Sequence, residues 1–425
     1  MHKYIHKYKI LVFLHPLTKT KNPIKPIKPI KPSNPQTLKP SNPQTLKPSN
    51  PSTLKPSTMQ IRQVTEYLNS RFLPFYQESY DNSGFLIGDP AAELKGILIT
   101  LDVTPDAVDE AISGGFNLIV SHHPLIFNGL KRITTESETG RMISLLLQNQ
   151  IAVYAAHTNL DNLDWGVNGI LANKLGLNDC RILRPIGGAL RKLVTYVPTE
   201  HAETLRQALF AAGAGGIGQY DECSYNSDGY GTFRAGQNAN PYCGEVGKLH
   251  CEPETRIEVI YEKRIERKLI QRLIDNHPYE EPAYDCLPLD NSFVKIGAGM
   301  VGKLSSPMPI SDFLETVKAT LGLPVIRTSQ FNHNSKSTIK TVAICGGSGS
   351  FLIGDAKSAG ADIYMTGDLK YHDFQQSEGK IILADIGHYE SEQFAKELIY
   401  SVISEKFSTF ACQISKQAGS LIQYN

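Results

Sequence analysis

Apolar residues recur in two rhythms along this chain. From Met59 a helical spacing sets in, with Ile61, Val64 and Leu68 on one face before a Leu73-Pro74 stop. Short apolar runs then alternate with helical stretches. Ile97 to Leu101, Phe116 to Val120 and Ile151 to Ala155 read as strands, with helices predicted at Pro105 to Ile112 and Arg141 to Gln148. The alternation resumes with strands at Thr341 to Cys345, Ile363 to Met365 and Ile381 to Ala384, separated by helical segments such as Phe351 to Ala359. This is the rhythm of an α/β fold. Residues 59–190 and 297–425 therefore read as two halves of one split α/β domain.

The region between, 191–296, breaks the pattern. It offers strand-like Leu193 to Val197, helix-like Ala202 to Ala212, a loop stretch rich in glycine and tyrosine, a strand around Ile257 to Tyr261, a helix around Ile265 to Asn276 and a last strand near Tyr284 to Leu289. Two strand–helix units with extra strands predict a small α+β, ferredoxin-like insert. Residues 1–58 offer no core at all. An I-K-P repeat gives way to K-P-S-N-P-Q-T-L units from Lys31 and Lys39, and dense proline blocks helix and sheet bonding, so a disordered or polyproline-like tail is expected. The expectation is that Met59 is the true start and the tail a translated upstream repeat.

Charge sharpens the contrast between tail and body. The chain carries a net +1, yet its first 58 residues hold 11 lysines and no acid, which leaves −10 on the remainder. An acidic body argues against a nucleic-acid partner, whose phosphates need a basic surface. No apolar run is long enough to span a bilayer and no signal-peptide core is present, so neither a membrane partner nor export is expected and the reading is cytoplasmic. Seven scattered cysteines, with no C-x-x-C, indicate neither a disulfide framework nor a thiolate zinc site.

The candidate chemistry lies where an α/β sheet gathers it, just beyond the carboxyl ends of strands. Ser121-His122-His123-Pro124, His157-Thr158-Asn159-Leu160-Asp161, Thr366-Gly367-Asp368 with Tyr371-His372, and Asp385-Ile386-Gly387-His388 with Glu392 each follow a predicted strand. A lone histidine there is more often a satisfied polar residue than a ligand. Of 12 histidines, however, five (122, 123, 157, 372 and 388) fall at these strand ends, and a structural role does not explain that clustering. His122 and His123 on an extended segment would point to opposite sides and reach two neighbouring ions. His388 and Glu392 stand four apart on a helix expected to continue inward-facing through Ala395, Ile399 and Val402. With Asp161 the set supplies three imidazoles and two carboxylates, a shell that suits zinc, iron, manganese or cobalt. The loop Gly346-Gly347-Ser348-Gly349-Ser350 lacks the lysine of a Walker loop and the third glycine of a dinucleotide fingerprint, and reads as a tight turn.

These motifs, in this order, resemble the NIF-three-like dinuclear metal-centre family from Met59 to the end of the chain. Asp81-Asn82-Ser83-Gly84 and Leu101-Asp102-Val103-Thr104 also match its signatures. The resemblance implies that His122, His123, Asp161, His388 and Glu392 bind two divalent metal ions per chain, with Glu392 as the bridge. It further implies that the middle region is similar to PII and CutA-type folds, marked by His277-Pro278-Tyr279-Glu280-Glu281-Pro282, and that the protein forms homohexamers.

Two such ions about 3.5–4 Å apart favour hydrolysis. The expected function is a metal-dependent hydrolase acting on a small phosphorylated or nucleotide-like substrate, similar to proteins called GTP cyclohydrolase I type 2. His157 or His372 would shuttle protons, and Asp102 would orient a ligand imidazole. The alternative is a metal-handling or regulatory protein without turnover.

Overall fold

The computed structural model describes residues 59–330, 338–417 and 419–424. The expected tail, 1–58, lies outside the described residues.

Three sheets organise the described chain. The first has the order Gly84–Ile87, Ala152–Ala155, Leu118–Ser121, Ile97–Thr100, Cys412–Ile414, with every pair parallel except the first. Its three central strands are buried along their whole length. Such continuously apolar strands need cover on both faces. One face receives Val108 and Ala111 of helix Pro105–Gly114 and Met142, Ile143 and Leu146 of helix Glu138–Gln148. The other receives Ile61, Val64, Leu68 and Phe72 of helix Ile61–Phe72 together with Ile399 and Ile403 of helix Ala395–Lys406. Each fully buried side chain of this kind contributes about 1.5–3 kcal/mol relative to exposure. That burial, more than intrinsic propensity, orders a 12-residue helix that would be marginal alone.

The second sheet runs Arg327–Thr328, Ile382–Asp385, Ile363–Gly367, Thr338–Ser348, Phe293–Pro309, Asn178–Ile186. Its parallel core, Thr338–Ser348 with Ile363–Gly367 and Ile382–Asp385, is again covered on both faces, by Phe313 and Val317 on one and Leu352, Ile353 and Ala356 on the other. The two halves of the sequence do not build one continuous sheet. They exchange strands instead: Asn178–Ile186 from the first half edges the second sheet, and Cys412–Ile414 from the chain's end pairs with Ile97–Thr100 in the first.

The insert leaves the second sheet after Asn178–Ile186 and returns on its neighbour Phe293–Pro309, where Phe293 pairs with Ile186. Between them run strand Leu190–Pro198, helix Ala202–Ala212, strands Tyr225–Arg234 and Leu249–Glu262, helix Glu266–Asn276 and strand Tyr284–Pro288. The antiparallel spatial order, with the first strand between the third and fourth and the second at the edge, is that of a ferredoxin-like fold. Leu205, Leu209, Leu269 and Leu273 of the two helices cover one sheet face. The expected boundary at 296 falls inside strand Phe293–Pro309, so the insert ends earlier, at the turn after Pro288. The stretch expected as loop contains a strand, Tyr225–Arg234, whose Asn226, Ser227, Asp228 and two glycines disguise it; it is an almost wholly exposed edge strand.

Candidate metal centre

The carboxyl ends of both parallel cores meet at one place. From the first sheet, Leu118–Ser121 delivers His122 and His123, and Ala152–Ala155 delivers His157 and, through the short helix Thr158–Asp161, Asp161. From the second, Ile382–Asp385 delivers the helix His388–Glu392. That helix does not continue as predicted. A turn at Gln393 and Phe394 separates it from Ala395–Lys406, and the Gln393 amide holds the break by donating to the carbonyls of Leu321 and Glu390. His388 and Glu392 still share one face.

Glu392 is the hub. Its Oε2 lies 2.9 Å from His123 Nε2, 3.1 Å from His388 Nε2 and 3.7 Å from His122 Nε2. His123 Nε2 and His388 Nε2 are 3.3 Å apart, and His122 Nε2 is 3.6 Å from Asp161 Oδ1. The histidine pair does not splay to opposite sides as an extended segment would require. The chain bends at both residues, and the rings, 4.9 Å apart, converge on the same carboxylate.

Each Nδ1 is already engaged. That of His122 meets the Ala156 carbonyl, that of His123 meets Asp102 Oδ1 and that of His388 meets Asp368 Oδ2, each at 2.7 Å. These acceptors draw the ring proton to Nδ1 and turn every Nε2 inward, an arrangement typical of metal-binding imidazoles. His157 is held likewise, Nδ1 to Asp81 Oδ1 at 2.7 Å, with its ring 5.4 Å from those of both His122 and His123. His372 is not brought in: it is exposed in the turn that precedes the short helix Asp373–Ser377, its ring against Tyr371.

Burial makes this arrangement electrostatically expensive without a cation. It pushes the His122 pKa down despite Glu392, and together with the Glu392 charge it pushes the Asp161 carboxyl well up. For His123 burial opposes the charged form, but Asp102 and Glu392 outweigh it and raise the pKa to about 10. His388 goes the same way, to about 9, against burial and through Glu392 and Asp368. Burial also opposes an ionised Glu392, and the facing imidazoles overcome it, holding the carboxylate well below its ordinary range.

His122 Nε2 and Asp161 Oδ1 are both buried and have no hydrogen-bond partner among the described residues. Native proteins rarely leave such atoms unmatched, since each costs about 1–3 kcal/mol. A cation bound to both would satisfy them. Donors around one tetrahedral ion with bonds of about 2.1 Å stand about 3.4 Å apart. The 3.3 Å and 3.6 Å pairs match that spacing, and His122, His123 and Glu392 form a group able to hold a metal ion.

The glycine loop serves this site from behind. Gly347, at φ +62°, presses on the hub: a Cβ there would stand 2.2 Å from Glu392 Oε1. Its amide accepts no anion, being donated to Ser391 Oγ, while that of Gly346 donates to Asn168 Oδ1. Gly347→Ala should therefore cost about 1–2 kcal/mol in backbone strain and displace the carboxylate. We expect at least about a tenfold loss of metal affinity in a competition titration, comparable to the loss of an orienting partner. Unchanged affinity would show that Glu392 tolerates the crowding.

Asp368, Asp81 and Gly347 were not assigned roles from sequence. Asp368, at φ +57°, carried a signal in its Thr366-Gly367-Asp368 motif, but its partner His388 lies 20 residues on and only the fold brings them together. Beside the hub lies a cavity of about 200 Å³ bordered by Tyr80, His157, Asp161, Phe351, His388 and Glu392. A second hollow, of about 370 Å³, shares Tyr80 and Phe351 with it and leads out to Arg184.

Known proteins share this architecture. Over 324 residues the chain is 41% identical to a Bacillus subtilis protein named "GTP cyclohydrolase 1 type 2 homolog", covering 76% of this chain and 86% of that one. A Staphylococcus epidermidis protein of the same name is 38% identical, over 80% and 91% of the two chains. The crystal structure of a Bacillus cereus protein related to NIF3 superposes with a TM-score of 0.74 at 35% identity, covering 87% of this chain and all of that one. The sequence model of Duf34/NIF3 (NGG1p interacting factor 3) matches residues 59–418, which include all three sheets, and to that family the chain belongs.

Proposed function

We propose that this centre holds two divalent metal ions and that the protein hydrolyses a small phosphorylated or nucleotide-like substrate. The observation that carries the reading is the pair of unmatched buried donors, His122 Nε2 and Asp161 Oδ1, next to a second pair, His123 and His388, with Glu392 between them. His122 with Asp161 would hold one ion, His123 with His388 the other, and Glu392 would bridge. When bound, two such ions lower the pKa of water and offset charge building up on an attacked phosphoryl centre. Zinc, iron and manganese all suit the mixed nitrogen and oxygen shell.

The chain's own residues supply the rest. Asp102, Asp368 and the Ala156 carbonyl fix the three rings, so Asp102 positions His123 and is not itself in contact with substrate. His157, oriented by Asp81, stands beside the cluster and is the proton shuttle; the exposed His372 is the weaker candidate. The adjoining hollows, with Tyr80 and Phe351 at their junction, suit a compact planar or phosphorylated molecule. The relatives' name makes a purine triphosphate the first compound to try.

A screen of phosphoesters and nucleotides on metal-loaded protein tests the reading. Turnover should be present in the wild type and fall by at least about 100-fold in His122→Ala. No turnover with any metal, together with fast transfer of metal to an acceptor protein, would favour the metal-handling role instead. We further propose a cytoplasmic homohexamer; a monomeric mass in light scattering would exclude the assembly. Among the described residues no helix is long and apolar enough to cross a membrane.

A further inference from the structure

We propose that the insert carries a second, separate metal site, formed by Cys243, His250 and Glu252, that takes a single zinc-like divalent cation through a thiolate. The site shares no residue with the dinuclear centre and does not depend on that centre's function.

The ligand atoms of these three residues lie within 4.8 Å of one another. His250 and Glu252 stand two apart on strand Leu249–Glu262, which puts both side chains on one face. His250 Nε2 meets Glu252 Oε2 at 2.7 Å, and both side chains are largely covered, at 29% and 24% exposure. Cys243 arrives from the facing loop, half-buried, with its Sγ 3.9 Å from the Tyr279 hydroxyl. That hydroxyl is directed away, donating to Glu254 Oε1 at 2.8 Å.

The loop is shaped to bring the thiol in. Gly244 sits at φ +79°, and a Cβ there would stand 2.8 Å from the His250 ring, so only glycine lets Cys243 approach the histidine this closely. Phe233, with its ring 5.4 Å from that of His250 and 5.9 Å from that of Tyr279, walls one side against water. Donors around one tetrahedral zinc stand about 3.3–3.8 Å apart. An adjustment of about 1 Å by the Cys243 loop would reach that spacing. One sulfur, one imidazole and one carboxylate leave a fourth position open, and the sulfur distinguishes this set from the dinuclear centre, which favours harder ions. No sequence pattern announces it, because Cys243 stands seven residues from the histidine, and Cys251, next to His250 on the strand, alternates to the opposite, exposed face.

Cobalt(II) as a zinc substitute tests the site in the full-length protein, since a thiolate–cobalt bond gives a near-ultraviolet charge-transfer band that imidazole and carboxylate ligands do not. We expect the band in the wild type and in Glu392→Gln, and its loss in Cys243→Ser. Glu252→Gln should keep the band but weaken cobalt binding at least about tenfold, which guards against a misfolded serine variant. Absence of the band in the wild type would overturn the proposal. So would its survival in Cys243→Ser, or its loss on replacing Cys345, the buried thiol bordering the other centre.

Discussion

Glu392→Gln is expected to empty the proposed dinuclear centre while leaving the fold intact. The amide is nearly isosteric with the carboxylate, so the volume behind it, pressed by Gly347, stays filled. What is lost is the single negative oxygen that three Nε2 atoms approach between 2.9 and 3.7 Å. Losing a partner that merely orients a ligand costs about 10- to 100-fold in metal affinity. A bridging ligand contributes to both ions, so the loss should exceed that range, and turnover should vanish with it. Elemental analysis and a melting curve check the claim together. Full metal retention in a folded Glu392→Gln protein would mean that the carboxylate is a packing residue rather than a ligand.

Metal affinity should also rise steeply with pH across the neutral range. Asp102 and Glu392 raise His123 to about 10, and Glu392 and Asp368 raise His388 to about 9, both against the effect of burial. At neutral pH both imidazoles are therefore charged in the metal-free protein, and each must give up a proton before its Nε2 can bind an ion. Loading at pH 7 should release about two protons per chain, and apparent affinity should climb by up to about a hundredfold per pH unit until pH nears 9. Calorimetry in buffers of different ionisation enthalpy counts those protons; fewer than one would contradict the assignment of His123 and His388 as ligands. The metal-free protein has the opposite sign. A folded pKa raised above the unfolded value of about 6.5 stabilises most below that value, and the stabilisation is lost as pH rises toward about 10. Alkaline conditions thus weaken the empty centre and favour the loaded one.

Most of the fold was legible because its central strands are covered on both faces and so are apolar without interruption. Ile97–Thr100, Ile363–Gly367 and Ile382–Asp385 could be read within a residue or two. The edges were not. Asn178–Ile186 mixes charged residues and a proline with apolar ones at no regular period, Tyr225–Arg234 is polar and exposed, and Cys412–Ile414 spans three residues, so none carries a strong local signal. Those edges are also where the halves exchange strands, so the division of the split α/β domain into two linked sheets has no local signal in the sequence.

The site was legible for a different reason. Candidate ligands delivered by strand ends stay close in sequence to the apolar runs that position them, so His122, His123, His388 and Glu392 could be named together. Their supports, Asp102 behind His123 apart, could not. Asp368 for His388, Asp81 for His157 and Gly347 behind Glu392 act across 20, 76 and 45 residues of chain, through contacts that only folding creates. The convergence of the His122 and His123 rings likewise has no local signal, since nothing in the sequence marks the bend after Ser121.

Anomalous diffraction from crystals of the protein purified without chelator bears most directly on the central claim. Two peaks per chain are predicted at the hub, one between His122 and Asp161 and one between His123 and His388, both touching Glu392. A single peak there would contradict the two-ion centre, and none would contradict a metal centre altogether.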